Sequence, residues 1–235
     1  MTELLYQHDS YVKEFQAKVT KVEGKSIFLD KTHFYPTSGG QPGDTGILKA
    51  GDKEFKVLNV KKAGADIIHE VDNEGLAVGD SVTATIDWPR RYRFMRGHTA
   101  CHILSYVVNK DTGALITGNQ IAEDKCRIDF DLENFDREKI KAYEKEANDI
   151  IGKSAAVTTK FLPREKAFKI PSVLKLKNVL PPSIDIIRIV NIEGFDVQAC
   201  GGTHVKNTGE IKGIEITNAE NKGKNNRRVY FVLKD

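Results

Sequence analysis

The sequence predicts an α+β protein in two parts: a small N-terminal β-barrel over residues 1–87, then an α+β domain over residues 88–235 with a mostly antiparallel sheet covered by helices. Three observations predict this. Short strand-like stretches recur with turns between them as far as residue 87. Asp87-Trp88-Pro89 then breaks the pattern and opens a long helical stretch. Beyond it, charged helical stretches are interspersed with strand-like ones, without an internal repeat.

Composition bounds the reading. The chain has 235 residues, 40% hydrophobic and 29% charged, enough apolar material for two ordinary cores. No apolar run reaches the length of a membrane span, and Met1 to Asp9 lacks a signal peptide's basic and apolar regions, so the expected location is the cytoplasm. Three cysteines are an odd count that argues against a disulfide framework and for a reducing compartment, with Cys101 and Cys126 reading as core.

In the first part, 15–22 and 26–30 are strand-like and separated by Glu23-Gly24-Lys25, a hairpin spacing. A loop at 34–46 follows, with four glycines and two prolines among hydroxyl and amide side chains. Further strands are expected at 47–48, 54–60, 66–71 and 81–87. Asp87 can cap a helix from about Trp88 to Asn109, with Pro89 tolerated in its first turn. On that helix Arg91, His98, His102 and Ser105 share one strip, beside an apolar side of Phe94, Cys101, Leu104, Val107 and Val108. Strands are then expected at 125–131 and 156–162, and a helix capped by Asn134 or Asp136 reaching Ile151. A short helix at 163–169 and a loop-rich connection bracketed by Pro171 and Pro181-Pro182 lead to a strand at 184–192, and two more follow at 210–216 and 228–233.

Two motifs carry the chemistry, His98-Thr99-Ala100-Cys101-His102 and Cys200-Gly201-Gly202-Thr203-His204. Residues four apart on a helix point to one side, so His98 and His102 can grip one ion. The Gly201-Gly202 turn can fold Cys200 and His204 back toward one point. Either pair alone is ordinary packing; together they form an imidazole and thiolate set in tetrahedral number, which selects zinc over magnesium, calcium or manganese, one ion per chain. Four protein ligands close the shell, the pattern of a structural site, so one ligand is loose or the ion organises a pocket rather than attacking substrate. The net charge of +3 announces no nucleic-acid binder, but Arg90, Arg91, Arg93 and Arg96 cluster before the histidines, and Lys222, Lys224, Arg227 and Arg228 cluster near the C-terminus.

Taken together, the HxxxH and CxxxH motifs resemble the signature of alanyl-tRNA synthetase editing domains. The stretch Ser38-Gly39-Gly40-Gln41-Pro42-Gly43-Asp44-Thr45-Gly46 is similar to the glycine-rich motif that precedes such domains, and the tail with Thr208-Gly209-Glu210-Ile211 and Arg227-Arg228 fits too. The likeness covers nearly the whole chain without a synthetase catalytic domain, so the expected family is the free-standing AlaX editing proteins in their medium-length form. The resemblance implies a trans-editing hydrolase that deacylates alanine tRNA mischarged with serine or glycine. The chemical need is plain, since a pocket shaped for alanine cannot strongly reject either amino acid. On the residues' own chemistry zinc is expected on His98, His102, Cys200 and His204, and if it carries a water His204 is the ligand expected to step aside as base. Thr117 is similar in position to the residue that reads the seryl hydroxyl, and Gln41 is the second candidate for that pocket. Backbone N–H groups of Gly39-Gly40 or Gly201-Gly202 are candidates for the oxyanion, and Arg91, Arg93, Lys222 and Lys224 for acceptor-stem phosphates. No membrane and no obligate protein partner is implied. Two other readings stay open: a zinc-stabilised RNA-binding module without hydrolysis, and a zinc peptidase or amidase, against which stands the missing glutamate beside His98.

Overall fold

The computed structural model describes residues 1–133, 136–174 and 184–235. By packing, the chain falls into two units, residues 1–95 with 121–123, and residues 96–120 with 124–235.

The first unit is a closed antiparallel barrel. A short β1 (Glu3–Leu4) pairs with β4 (Lys31–Thr32) outside it, while β2 (Glu14–Glu23), β3 (Ser26–Leu29), β5 (Gly46–Ala50), β6 (Lys53–Ala63), β7 (Asp66–Val71) and β8 (Ser81–Ile86) close in the order β2-β3-β7-β6-β5-β8. Alternation does the work: Val82, Ala84 and Ile86 of β8 point inward between exposed or half-exposed neighbours, and join Val19, Leu29, Leu48, Val57 and Val60 in one core. Register shifts at Val19/Lys21 and Val57/Asn59 mark bulges of the kind that bend strands into a barrel.

The helix α1 (Trp88–Thr112) starts where Asp87 places it: Asp87 Oδ1 accepts from the Arg90 N–H at 3.3 Å. In the second unit, β9 (Ile116–Ile121) and β10 (Cys126–Phe130) belong to a four-stranded sheet ordered β14-β15-β10-β9, where β14 is Ile214–Asn221 and β15 is Arg227–Leu233. The helix α2 (Arg137–Gly152), capped by Asp136 as expected, packs on β14 through Asn148, whose amide both donates to and accepts from the Ile214 backbone. A separate three-stranded sheet holds β11 (Val157–Pro163), β12 (Ile186–Ile192) and β13 (Asp196–Ala199), with α3 (Arg164–Ala167) and α4 (Pro171–Leu174) beside it.

The α+β class is as the sequence predicts. Two differences have local reasons. The stretch after Ile192 turns at Glu193–Phe195 into a hairpin, so β13 pairs back on β12 and the expected single sheet becomes two. Residues 208–211 form a 3-10 turn with an Asn207/Glu210 capping box, which delays the expected strand to Ile214. Asn134 and the Pro181-Pro182 pair lie outside the described residues. Among those described, no helix is long and apolar enough to cross a membrane.

Candidate metal centre

All four residues of the two motifs belong to the second unit, and their ligand atoms lie within 4.8 Å of one another. His98 and His102 come from adjacent turns of α1 and are nearly buried. Cys200 follows β13, its N–H donating to the Arg188 carbonyl at 3.1 Å, and its sulfur lies 3.4 Å from His98 Nε2 and 3.3 Å from His204 Nε2. Such a group can hold a metal ion.

Surrounding groups fix the rings. His102 Nδ1–H donates to Asp196 Oδ2 at 2.9 Å, and Thr99 Oγ1 lies 3.1 Å from His204 Nδ1 while accepting the Val205 N–H. Arg188 Nη1 donates to the carbonyls of Cys200 and Gly202 at 2.7 and 2.9 Å, clamping the turn between the motifs' second pair. Burial opposes the Cys200 thiolate, yet the imidazoles of His98, His204 and His102 outweigh it and hold the thiol well below its ordinary range. Burial also works to lower His102, but the hydrogen bonds to Asp196 and Cys200 raise it, while burial pushes His204 down to about 3 against the pull of Cys200. The two histidines thus sit in opposite electrostatic settings, one held by a carboxylate and one beside a hydroxyl.

Gly202 has a steric reason. A Cβ there would lie 2.0 Å from His98 Cε1, so only glycine lets the turn close over that ring. Its N–H donates to Cys200 Sγ at 3.4 Å, which commits it to the thiolate rather than to an oxyanion; Gly201 is exposed.

The remaining sequence-derived residues fall variously. Thr117 is exposed and lies in β9. Gln41 is fully buried in the first unit, where Ser38 and Gln41 exchange backbone hydrogen bonds across Gly39-Gly40, whose φ values of 55° and 80° are those a tight I′-like turn demands. Ile121 N–H donates to the Gly40 carbonyl at 2.8 Å, so that turn is anchored. Lys222 is exposed and pairs with Glu220 at 2.6 Å, and Lys224 is exposed.

Arg91 must be corrected as a phosphate ligand, because it is fully buried and spends its guanidinium inside the first unit. It pairs with Asp44, and donates to the Ser10 carbonyl at 2.9 Å and the His33 carbonyl at 2.6 Å. Its neighbours are also engaged: Arg90 with Glu123 and the Gly43 carbonyl, Arg93 with the Glu123 carbonyl, and Arg96 with the Ile211 and Lys234 carbonyls. Two of the four, Arg91 and Arg96, are buried scaffolding, while Arg90 and Arg93 are half-buried. Sequence reasoning missed Asp196, Thr99 and Arg188; Thr99 lies inside the first motif, whereas the other two sit in strands with no motif to mark them.

Residues 6–90 match the family described as tRNA synthetases class II (A), and residues 187–230 match the threonyl and alanyl tRNA synthetase second additional domain. The chain is 51% identical to the "Alanyl-tRNA editing protein AlaX-M" of Methanosarcina barkeri over 243 residues, covering 100% of both chains, and 47% identical to the protein of that name from Saccharolobus solfataricus, again over 100% of both. It is 39% identical to the "Alanine--tRNA ligase" of Pyrococcus abyssi, over 98% of this chain and 26% of the ligase. On likeness that spans the full length of both sequences, this chain belongs to the AlaX-M family of alanyl-tRNA editing proteins.

Proposed function

We propose that this chain is an aminoacyl-tRNA deacylase that hydrolyses alanine tRNA mischarged with serine, with glycine as the second substrate, and that zinc held by His98, His102, Cys200 and His204 serves the reaction. The observation that carries it is the meeting of two motifs, about a hundred residues apart in sequence, at one buried centre. A tetrahedral zinc with bonds of about 2.3 Å to sulfur and about 2.1 Å to nitrogen puts those ligands about 3.6 Å apart. The sulfur-to-nitrogen separations of 3.4 and 3.3 Å are near that edge length.

The reaction is an ester hydrolysis. Water oxygen bonds to the acyl carbon, the bond to the tRNA 3′ oxygen breaks, and that oxygen takes a proton. Zinc, when bound, supplies Lewis acidity that orients and polarises the reacting groups. The protein's part is to hold rings and thiolate in place and to exclude alternatives. Thr117 and Gln41 are our candidates for the seryl hydroxyl, since a polar group left unpaired by alanine yields the discrimination that shape alone cannot. His204, beside a hydroxyl rather than a carboxylate, is the candidate ligand to step aside as base. Gly39-Gly40 remains our candidate oxyanion donor, and Arg93, Lys222 and Lys224 our candidate contacts to the acceptor stem.

The test is release of labelled amino acid from serine-charged and alanine-charged alanine tRNA, with and without a chelator. Selective, chelator-sensitive loss of serine is expected, and His98→Ala should lower metal content and activity together. The closed four-residue set favours one rival, a purely structural zinc in an RNA-binding module; binding of charged tRNA without release would establish it instead.

A further inference from the structure

Asp196 is a buried carboxylate in an unusual position. It opens β13 just after the Glu193–Phe195 turn, opposite Ile192, and is 6% exposed. Neither of its oxygens caps that hairpin: Oδ1 accepts from Gln198 Nε2 at 3.0 Å and Oδ2 from His102 Nδ1 at 2.9 Å, both side chains. Among the described residues its ion pair is with His102, and no lysine or arginine shares it. A buried carboxylate held this way is a poor source of stability, because desolvation offsets what one imidazole returns. Gln198 locks one oxygen, so the other is aimed.

We infer that Asp196 is the positioning residue of the metal centre. It fixes His102 as the Nδ1–H tautomer and leaves Nε2 as the ring nitrogen that can donate a lone pair. The three histidines are then not equivalent. His102 is oriented by a negative charge, which raises its basicity as a ligand, whereas His204 Nδ1 lies beside the Thr99 hydroxyl and the His98 ring lies against the Gly202 backbone. Asp196 is thus committed to a single ligand, and it reaches that ligand from a strand that the CxxxH motif does not include. The inference rests on the metal reading above and extends it to a residue outside both motifs.

The experiment compares the full-length wild type with Asp196→Asn, Asp196→Ala and Asp196→Glu. Zinc affinity is measured by competition with a chromogenic chelator, melting is followed with and without zinc, and ring-nitrogen NMR shifts of His102 are read in the metal-free protein at a pH where the ring carries a single proton. We expect zinc binding to weaken by about 10- to 100-fold, least for Asn, which keeps an acceptor, and most for Ala. Glu should recover part of the loss. Metal-free melting should fall by less than zinc-loaded melting, so that the gain in melting temperature on adding zinc shrinks, and saturating zinc should restore kcat/KM. In the wild type the His102 proton should sit on Nδ1, and in Asp196→Ala the two tautomers should mix.

Unchanged zinc affinity in the variants overturns the inference. So does an equal fall of the metal-free and zinc-loaded melts, which is what a merely structural residue would give, or a wild-type His102 protonated on Nε2. A wild type that takes up no zinc sinks the metal reading instead, and the nitrogen shifts then still decide whether Asp196 sets the tautomer.

Discussion

Gly202→Ala is the sharpest perturbation of the centre, because it adds one methyl and changes no charge. The new Cβ would lie 2.0 Å from His98 Cε1, 2.4 Å from Nδ1 and 3.1 Å from Nε2. Ordinary contact begins at 3.4 Å, so the imidazole must retreat by about 1.4 Å. Metal-ligand distances tolerate only about 0.2 Å, so His98 leaves the set. Structural zinc binding is worth about 10–16 kcal/mol, or about 2.5–4 kcal/mol per ligand when four share it. That converts to roughly two to three orders of magnitude in zinc affinity. Chelator competition measures it directly, and serine deacylation at limiting zinc should fall in parallel. The control is Gly202→Ala in a His98→Ala background, where the clash has no ring to strike and no further loss is expected. Wild-type zinc affinity in the single variant, or a further large loss in the double, would refute the steric argument.

Other tests bear on other parts of the chain. Asp44→Asn strands the buried Arg91 charge and should destabilise the first unit by about 3–5 kcal/mol in denaturant melts, while Asp44→Leu with Arg91→Met recovers most of it; a single-variant cost under about 1 kcal/mol would mean the pair is not desolvated. His69 is buried and neutral, its Nδ1–H donating to the Ile27 carbonyl at 3.2 Å and its Nε2 2.9 Å from Thr32 Oγ1, and burial lowers its pKa from 6.5 to about 4. Because the folded value is the lower one, its contribution is complete above pH 6.5 and is lost as pH falls to about 4, on the order of 3 kcal/mol. His69→Gln should flatten that part of the stability–pH curve, and an unchanged slope would place the acid sensitivity elsewhere. Thr117→Val should slow serine release by about 10-fold, the worth of one hydrogen bond, with little effect on glycine release; equal slowing of both would remove Thr117 from hydroxyl recognition.

The barrel strands were legible because each is short, alternates inward and outward, and ends in a turn. The cluster of three histidines and one cysteine was legible because two spaced motifs declare it. What escaped was set by contacts distant in sequence. The stretch Ile116-Thr-Gly-Asn-Gln-Ile121 has weak strand propensity and becomes β9 through its neighbour in the sheet rather than through its own residues. Asp196 carries no signature of its own, since its significance lies in reaching a histidine 94 residues away. Arg91 shows the opposite failure: charge in a string of arginines looks like a surface patch until the buried Asp44 partner is seen.

The barrel, being closed, offers no open flank to another strand, whereas the second unit's sheets do end. Among the described residues β14 is one such margin, and its register slips between Ile216 and Asn218. A slip there twists the outer ladder out of line with any incoming strand. On the other sheet, β11 is marginal, with exposed Thr158, Thr159 and Lys160 along it and Pro163 at its end. Margins interrupted by a register slip, or polar, cationic and proline-ended, are poor templates for an incoming strand, so these two edges of the unit that holds Cys200 can stay unclosed without being extended.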